Sequence, residues 1–132
     1  MKDSLVPGIW AEYEHRVVSE NLVSHVNPAG PPVLGSPFML LLMETAAFNV
    51  IQPHLDQGEQ SVGVGFNFEH LAATPAGAVV VAKAVVTAVD GRRVTLDIEA
   101  HDGHELIGRG THRRAVIRMS NFVQRLRKKV DA

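Results

Sequence analysis

The sequence predicts an α+β domain in which a curled antiparallel sheet wraps around one long central helix. Three observations lead there: a single strongly apolar segment with helix boundaries at both ends, four β-rich segments after it separated by turn signals, and one β-rich segment before it. A helix without a broad polar face has to be covered on all sides, and a single sheet covers it only by curling. At 132 residues, 45% of them hydrophobic, the chain suits one domain spanning 1–132 with one core.

The first strand is expected around Ile9 to Val18, followed by the turn-rich stretch Asn27-Pro28-Ala29-Gly30-Pro31-Pro32, a loop or lid. Ser36-Pro37 supplies an N-cap residue with proline at the first helical position, and Pro53 closes the segment, which sets the helix at Pro37 to Gln52. Within it Phe38 to Met43, Ala46, Ala47, Phe48, Val50 and Ile51 leave little polar surface. Strands are expected at Ser61 to Leu71, Ala78 to Val89, Arg92 to His101 and Glu105 to Ile117, as one antiparallel meander with turns at Thr74-Pro75-Ala76-Gly77, Asp90-Gly91 and Asp102-Gly103. Phe122, Leu126 and Val130, four apart among basic residues, predict an amphipathic helix from Asn121 to Val130. One buried helix, preceded by a strand and followed by four, is the outline of a hotdog fold. The long strands of such a sheet leave an edge to be covered, so a homodimer is expected.

Composition excludes several classes. Thirteen basic and fourteen acidic side chains argue against a nucleic-acid binder, and base-stacking aromatics are scarce. The absence of cysteine removes disulfides, zinc-thiolate sites and a cysteine nucleophile, and makes the cytoplasm the expected compartment. The start of the chain has no apolar stretch of signal-peptide length, and Phe38 to Met43 is too short to cross a bilayer, so no membrane is expected as a partner. No histidine pair has a metal-ligand spacing, and no metal is expected.

Glu44 is the most informative side chain, the only charge between Ser36 and Pro53 and central in the apolar helix. Burying an unpaired carboxylate is costly. It either lies on a solvent stripe or pairs with a cation from the sheet, or it is a functional carboxylate tuned by an apolar pocket. His70 ends a strand just before a turn, where a side chain can project into a cleft; by itself it is one of seven histidines. Ser36 is either the helix cap or a reactive hydroxyl, and it lacks a G-x-S-x-G elbow. Gly63 and Gly65 interrupt a strand, marking a bulge or a close approach of backbone to ligand. Arg113, Arg114, Arg118, Arg125, Arg127, Lys128 and Lys129 form either a solvated face or a site for phosphates.

Gly35-Ser36-Pro37-Phe38-Met39 with Leu42-Met43-Glu44, then His70-Leu71-Ala72-Ala73-Thr74-Pro75-Ala76-Gly77, then Ala100-His101-Asp102-Gly103 and Ile107-Gly108-Arg109-Gly110-Thr111-His112-Arg113-Arg114-Ala115-Val116-Ile117, together resemble the fluoroacetyl-CoA thioesterase family of hotdog proteins in matching order. The resemblance implies an acyl-CoA thioesterase with no cofactor beyond the coenzyme A of its substrate. It further implies a catalytic set of Ser36, in place of a threonine, with Glu44 and His70, a substrate-facing amide at Gly63, and coenzyme A binding at Arg114. The segment before the helix departs from the fluoroacetyl-specific member, which has phenylalanines where this chain reads Pro28-Ala29-Gly30-Pro31-Pro32-Val33-Leu34. Small residues near the site, Ala46, Ala47, Gly63 and Gly65, lean toward a short acyl group.

Eight helical residues separate Ser36 from Glu44, about 12 Å at 1.5 Å per residue. Unless the helix starts later, the hydroxyl that works beside Glu44 belongs to a second subunit, and the site is expected at the dimer interface. Two rivals remain: a hotdog hydratase or dehydratase on enoyl- or hydroxyacyl-CoA, and a non-catalytic acyl-CoA binding protein. Thiol release from a panel of acyl-CoAs by the wild type, Glu44→Gln and His70→Ala separates them.

Overall fold

The computed structural model of the chain describes residues 1–131. Strands β1 (Trp10–Arg16), β2 (Glu59–His70), β3 (Val79–Asp90), β4 (Arg93–His101) and β5 (Leu106–Arg118) form one antiparallel sheet, accompanied by helices α1 (Val23–Val26), α2 (Ser36–Ile51) and α3 (Met119–Asp131). The expected α+β plan holds, and the expected element ends fall within two residues of the observed ones.

Strand order differs from the expected meander. The sheet runs β1-β3-β4-β5-β2, so only β3, β4 and β5 follow one another as neighbours. β1 occupies the edge of β3 that a meander would give to β2, pairing from Trp10 with Val85 to Arg16 with Val79. β2 therefore crosses to the free edge of β5 and becomes one of the two edge strands of the sheet, β1 being the other. At the β3–β4 turn Gly91 adopts a φ of 57° between the paired Asp90 and Arg93, a conformation that glycine reaches without strain.

Alternation along β3 and β4 decides where the core sits. Val80, Ala82, Ala84 and Val86, with Val94, Leu96, Ile98 and Ala100, all face inward and are buried. Against them lie Met39, Met43, Ala46, Ala47, Val50 and Ile51 of α2. The inward alanines leave room for the helix to approach the sheet, and the two methionines fill the irregular space between them. Truncating Met43, fully buried, to alanine would cost about 2–5 kcal/mol.

The segment between β1 and α2 is fastened to the rest of the fold. Leu22 bridges Leu34, the Leu34 N–H donates to the Thr74 carbonyl at 2.8 Å, and the Gly35 N–H donates to the Asn21 carbonyl at 2.9 Å. Buried Thr74 also donates to Asp102, whose other oxygen accepts the N–H groups of His104 and Glu105 at 3.0 Å, so this segment and the β4–β5 turn are held together. α3 is amphipathic as expected and has no buried residue. Among the described residues no helix is long and apolar enough to cross a membrane.

Candidate active site

Ser36 does not cap α2. The N-cap is Gly35, whose carbonyl accepts the N–H groups of Phe38 and Met39, while Ser36 is the first helical residue. Its hydroxyl is thereby released from local duty and lies 2.8 Å from His70 Nδ1. His70 ends β2, and its Nε2 is inaccessible, with no hydrogen-bond partner among the described residues. A ring with one nitrogen held by a hydroxyl has a fixed orientation, and its buried Nε2 is left without a partner among the described residues of this chain. Ser36 also opens onto an apolar cavity of about 330 Å³ between α1 and the start of α2, lined by Leu22, Val23, Val26 and Phe38.

Two turns further along α2 stands a second group. The Glu44 side chain is 34% exposed, and its Oε2 accepts from Arg114 Nη1 at 2.9 Å. Of the open readings of Glu44, the structure contains pairing with a cation from the sheet. Arg114 is 4% exposed, and its other donors reach Ser61 Oγ at 3.0 Å, the Ser61 carbonyl at 2.8 Å and His112 Nε2 at 3.2 Å. Burial lowers the Arg114 pKa and the Glu44 charge opposes that fall; a guanidinium stays protonated in either case. A guanidinium so enclosed is the partner of a carboxylate and is badly placed to bind a phosphate. His112 is fully buried, with Nδ1 2.9 Å from the Gly65 carbonyl, and its ring stacks on Phe66 at 3.9 Å and 11°. Its pKa is lowered, chiefly by burial and also by the Arg114 charge, against the raising effects of the Gly65 carbonyl and Glu44.

Of the readings of the β2 glycines, the structure contains the bulge. The ladder to β5 shifts between Gly63 and Gly65, a bulge at Val64. A Cβ on Gly63 would also stand only 2.6 Å from Glu44 Oε2, so the carboxylate lies where a side chain would be. Leu41, Glu44, Thr45, Phe48, Ser61, Val62, Gly63 and Arg114 surround an open cavity of about 370 Å³. A comparably open hollow on the outer face of the sheet, lined by Asn67, Glu69, Asp97, Glu99 and Arg109 among others, holds none of the expected site residues.

The expected residues thus fall into two pairs of neighbours on one chain. Ser36 and His70 touch, as do Glu44 and Arg114 beside Gly63, and the two groups are about 12 Å apart along α2. His112 and Ser61 were not singled out from sequence. Their signal was the period of β5: residues 112, 114 and 116 share the inward face, so a histidine and an arginine point at the same core that contains Glu44. Among the described residues no three His, Asp or Glu side chains are grouped to hold a metal.

A helix wrapped by a five-stranded antiparallel sheet, with serine, histidine and glutamate distributed along that helix and its edge strand, defines a hotdog protein of the thioesterase type. Residues 17–120 match the family described as fluoroacetyl-CoA-specific thioesterase. The fluoroacetyl-CoA thioesterase of Streptantibioticus cattleyicolor is 37% identical over 138 positions, covering 100% of this chain and 99% of that one. A crystal structure of a fluoroacetyl-CoA-specific thioesterase variant superposes with a TM-score of 0.90 at 36% identity, over 97% of this chain and 99% of that one. A Thermus thermophilus thioesterase superfamily member superposes with a TM-score of 0.86 at 27% identity, over 95% of each chain. The chain belongs to the fluoroacetyl-CoA-specific thioesterase family, a family of thioester hydrolases.

Proposed function

We propose that the protein hydrolyses short-chain acyl-CoA thioesters at a site completed by two protomers, with Ser36 and His70 from one and Glu44, Gly63 and Arg114 from the other. The observation that carries this reading is the division of the site on one chain: a hydroxyl-held imidazole and a cation-held carboxylate about 12 Å apart, each beside an open cavity. A second copy pairing antiparallel along β2 would bring the two halves together. β2 has a free edge, and Val64, Phe66, Leu41 and Phe48 are 37–53% exposed on a single chain, on and beside the strand that such a dimer would cover.

In this mechanism Glu44 Oε1, which has no hydrogen-bond partner among the described residues, takes a proton from water as the water oxygen adds to the thioester carbonyl. The Gly63 amide stabilises the oxyanion. Collapse breaks the C–S bond, and the proton that Glu44 took from water passes to the departing thiolate, which restores the carboxylate, while His70, held at Nδ1 by its contact with Ser36, polarises the reacting group. The variant route, direct attack by Glu44 to form an anhydride that water then opens, gives the same products. Heavy oxygen from water enters the Glu44 carboxylate only on that route.

No cofactor is required beyond the coenzyme A of the substrate, whose phosphates would fall to exposed cations rather than to Arg114. The segment Pro28-Ala29-Gly30-Pro31-Pro32 carries no aromatic side chain, which supports acyl groups beyond fluoroacetyl. A cysteine-free composition supports a cytoplasmic setting.

Mixing tests the divided site. Ser36→Ala and Glu44→Gln are each expected to be nearly inactive in thiol release. After exchange of subunits, about half the dimers are mixed and each mixed dimer regains one intact site, so about a quarter of wild-type activity returns. No recovery despite demonstrated exchange would place all the groups of a site within one protomer.

A further inference from the structure

His112 is fully buried and carries none of the roles assigned above, yet its surroundings leave one protonation state. Arg114 Nη1 has two hydrogens: one goes to Glu44 Oε2 at 2.9 Å, and the other points to His112 Nε2 at 3.2 Å. An arginine N–H only donates, so Nε2 must be the acceptor. The proton of a neutral ring is then on Nδ1, and Nδ1 lies 2.9 Å from the Gly65 carbonyl, which only accepts. The two contacts require the same tautomer. Burial and the neighbouring guanidinium both oppose a second proton on this ring.

We infer that His112 is a positioning residue of the hydrolytic site: a neutral, Nδ1-protonated imidazole that holds the Arg114 guanidinium in the one orientation from which it restrains Glu44 Oε2 and leaves Oε1 free. The inference rests on the proposed role of Glu44. The guanidinium is fixed from three sides, by Ser61 Oγ, the Ser61 carbonyl and His112, and either residue of that frame can be exchanged without altering Glu44. Phe66, stacked on the ring, keeps its plane from turning. The charged groups facing His112 are Arg114 from β5 and Glu44 from α2, with Glu44 Oε2 3.9 Å from Nε2. A protonated ring would lose its acceptor, repel Arg114 and compete for that oxygen, so the arrangement works only while His112 is neutral. A side chain acting through a partner in this way typically changes activity about 10–100-fold when removed.

The test compares His112→Met, which keeps bulk and loses both hydrogen bonds, with His112→Gln, which offers an amide N–H and an amide oxygen on the same two sides. With acyl-CoA substrates and a thiol-detecting readout, kcat of the methionine variant should fall about 10–100-fold with KM within about threefold, and the glutamine variant should recover most of the loss. Equal activity of both variants and wild type, or equal loss in both, would overturn the inference, the second outcome reducing His112 to packing. Nitrogen-15 NMR of the wild-type imidazole gives a readout that does not depend on the variants folding: at neutral pH it should report a neutral ring protonated at Nδ1, and an Nε2-protonated ring or an imidazolium refutes the assignment. Glu44→Gln is measured alongside. If it remains fully active, the proposed site fails; if it is inactive while the His112 variants are unchanged, only the present inference does.

Discussion

Gly63→Ala separates the chemistry of this site from its stability. Gly63 lies in β2 and is not among the glycines with positive φ, so alanine is compatible with its backbone and shortens the list of conformations open to the unfolded chain. The added Cβ would meet Glu44 Oε2 at 2.6 Å, against 3.4 Å for ordinary contact, so the carboxylate must retreat by 3.4 − 2.6 = 0.8 Å. The other neighbours concede little, His112 Cε1 at 3.3 Å and Arg114 Nη1 at 3.6 Å. Glu44 is the movable end of a flexible side chain, so the fold absorbs the change, with a melting temperature within about 3 °C of wild type. A displacement approaching 1 Å at a reacting group costs on the order of 10²-fold, and kcat/KM should fall about 10–100-fold. Thiol release across an acyl-CoA series, paired with thermal melts, reads both quantities. If kcat/KM stays within about twofold in a well-folded protein, the placement of Glu44 does not govern the reaction; a collapse in melting temperature would mean that the space is structural.

Three further outcomes follow from named contacts. Ser36→Ala removes the hydroxyl 2.8 Å from His70 Nδ1; because Ser36 is exposed and is not a helix cap, stability should change by no more than about 1 kcal/mol while activity falls at least about tenfold, measured by melts and thiol release. Val64→Lys places a charge at the bulge of the free-edge strand and should convert a dimer to monomers in sedimentation, with activity lost in parallel; an active monomer would contradict the shared site. Glu59, 5% exposed, is bound by the Met1 ammonium, the Asp56 N–H at 2.9 Å and Arg92 Nη1 at 3.1 Å, which bring its pKa from 4.5 down to about 2. Its folded pKa is depressed, so its contribution is complete above pH 4.5 and is lost as pH falls toward 2. Denaturant titrations should show about 1–2 kcal/mol lost across that window after allowance for screening, and Glu59→Gln should flatten that part of the profile.

The elements were legible in the sequence because local chemistry marks their ends. Ser36-Pro37 and Pro53 bound the helix, Asp90-Gly91 bounds a hairpin, and β-branched alternation sets the strands between them. Strand order was not legible, since β2 and β3 are consecutive and nothing in either states that β1 takes the edge between them. The Ser36 cap failed for a related reason. A serine before a proline satisfies the local rule for capping, but the chain begins its helix one residue earlier on Gly35 and commits the hydroxyl to a histidine 34 residues away.

Glu44 was visible as an anomaly because a carboxylate in an apolar helix needs compensation, and the same argument, applied to β5, identifies the compensating group. Period two places His112 and Arg114 on the inward face of a strand whose inward neighbours include buried Val116, so two polar residues point at the core from the side opposite Glu44. Three polar side chains directed into one apolar interior must find each other, because each alone carries the desolvation cost of an unpaired group. They do, and Gly63 supplies the space in which they meet. What no single-chain periodicity conveys is that Ser36 and His70 lie outside this cluster. Their separation from Glu44 follows from the rise of α2, and so the argument for a partner subunit was available from helix geometry before any contact was known.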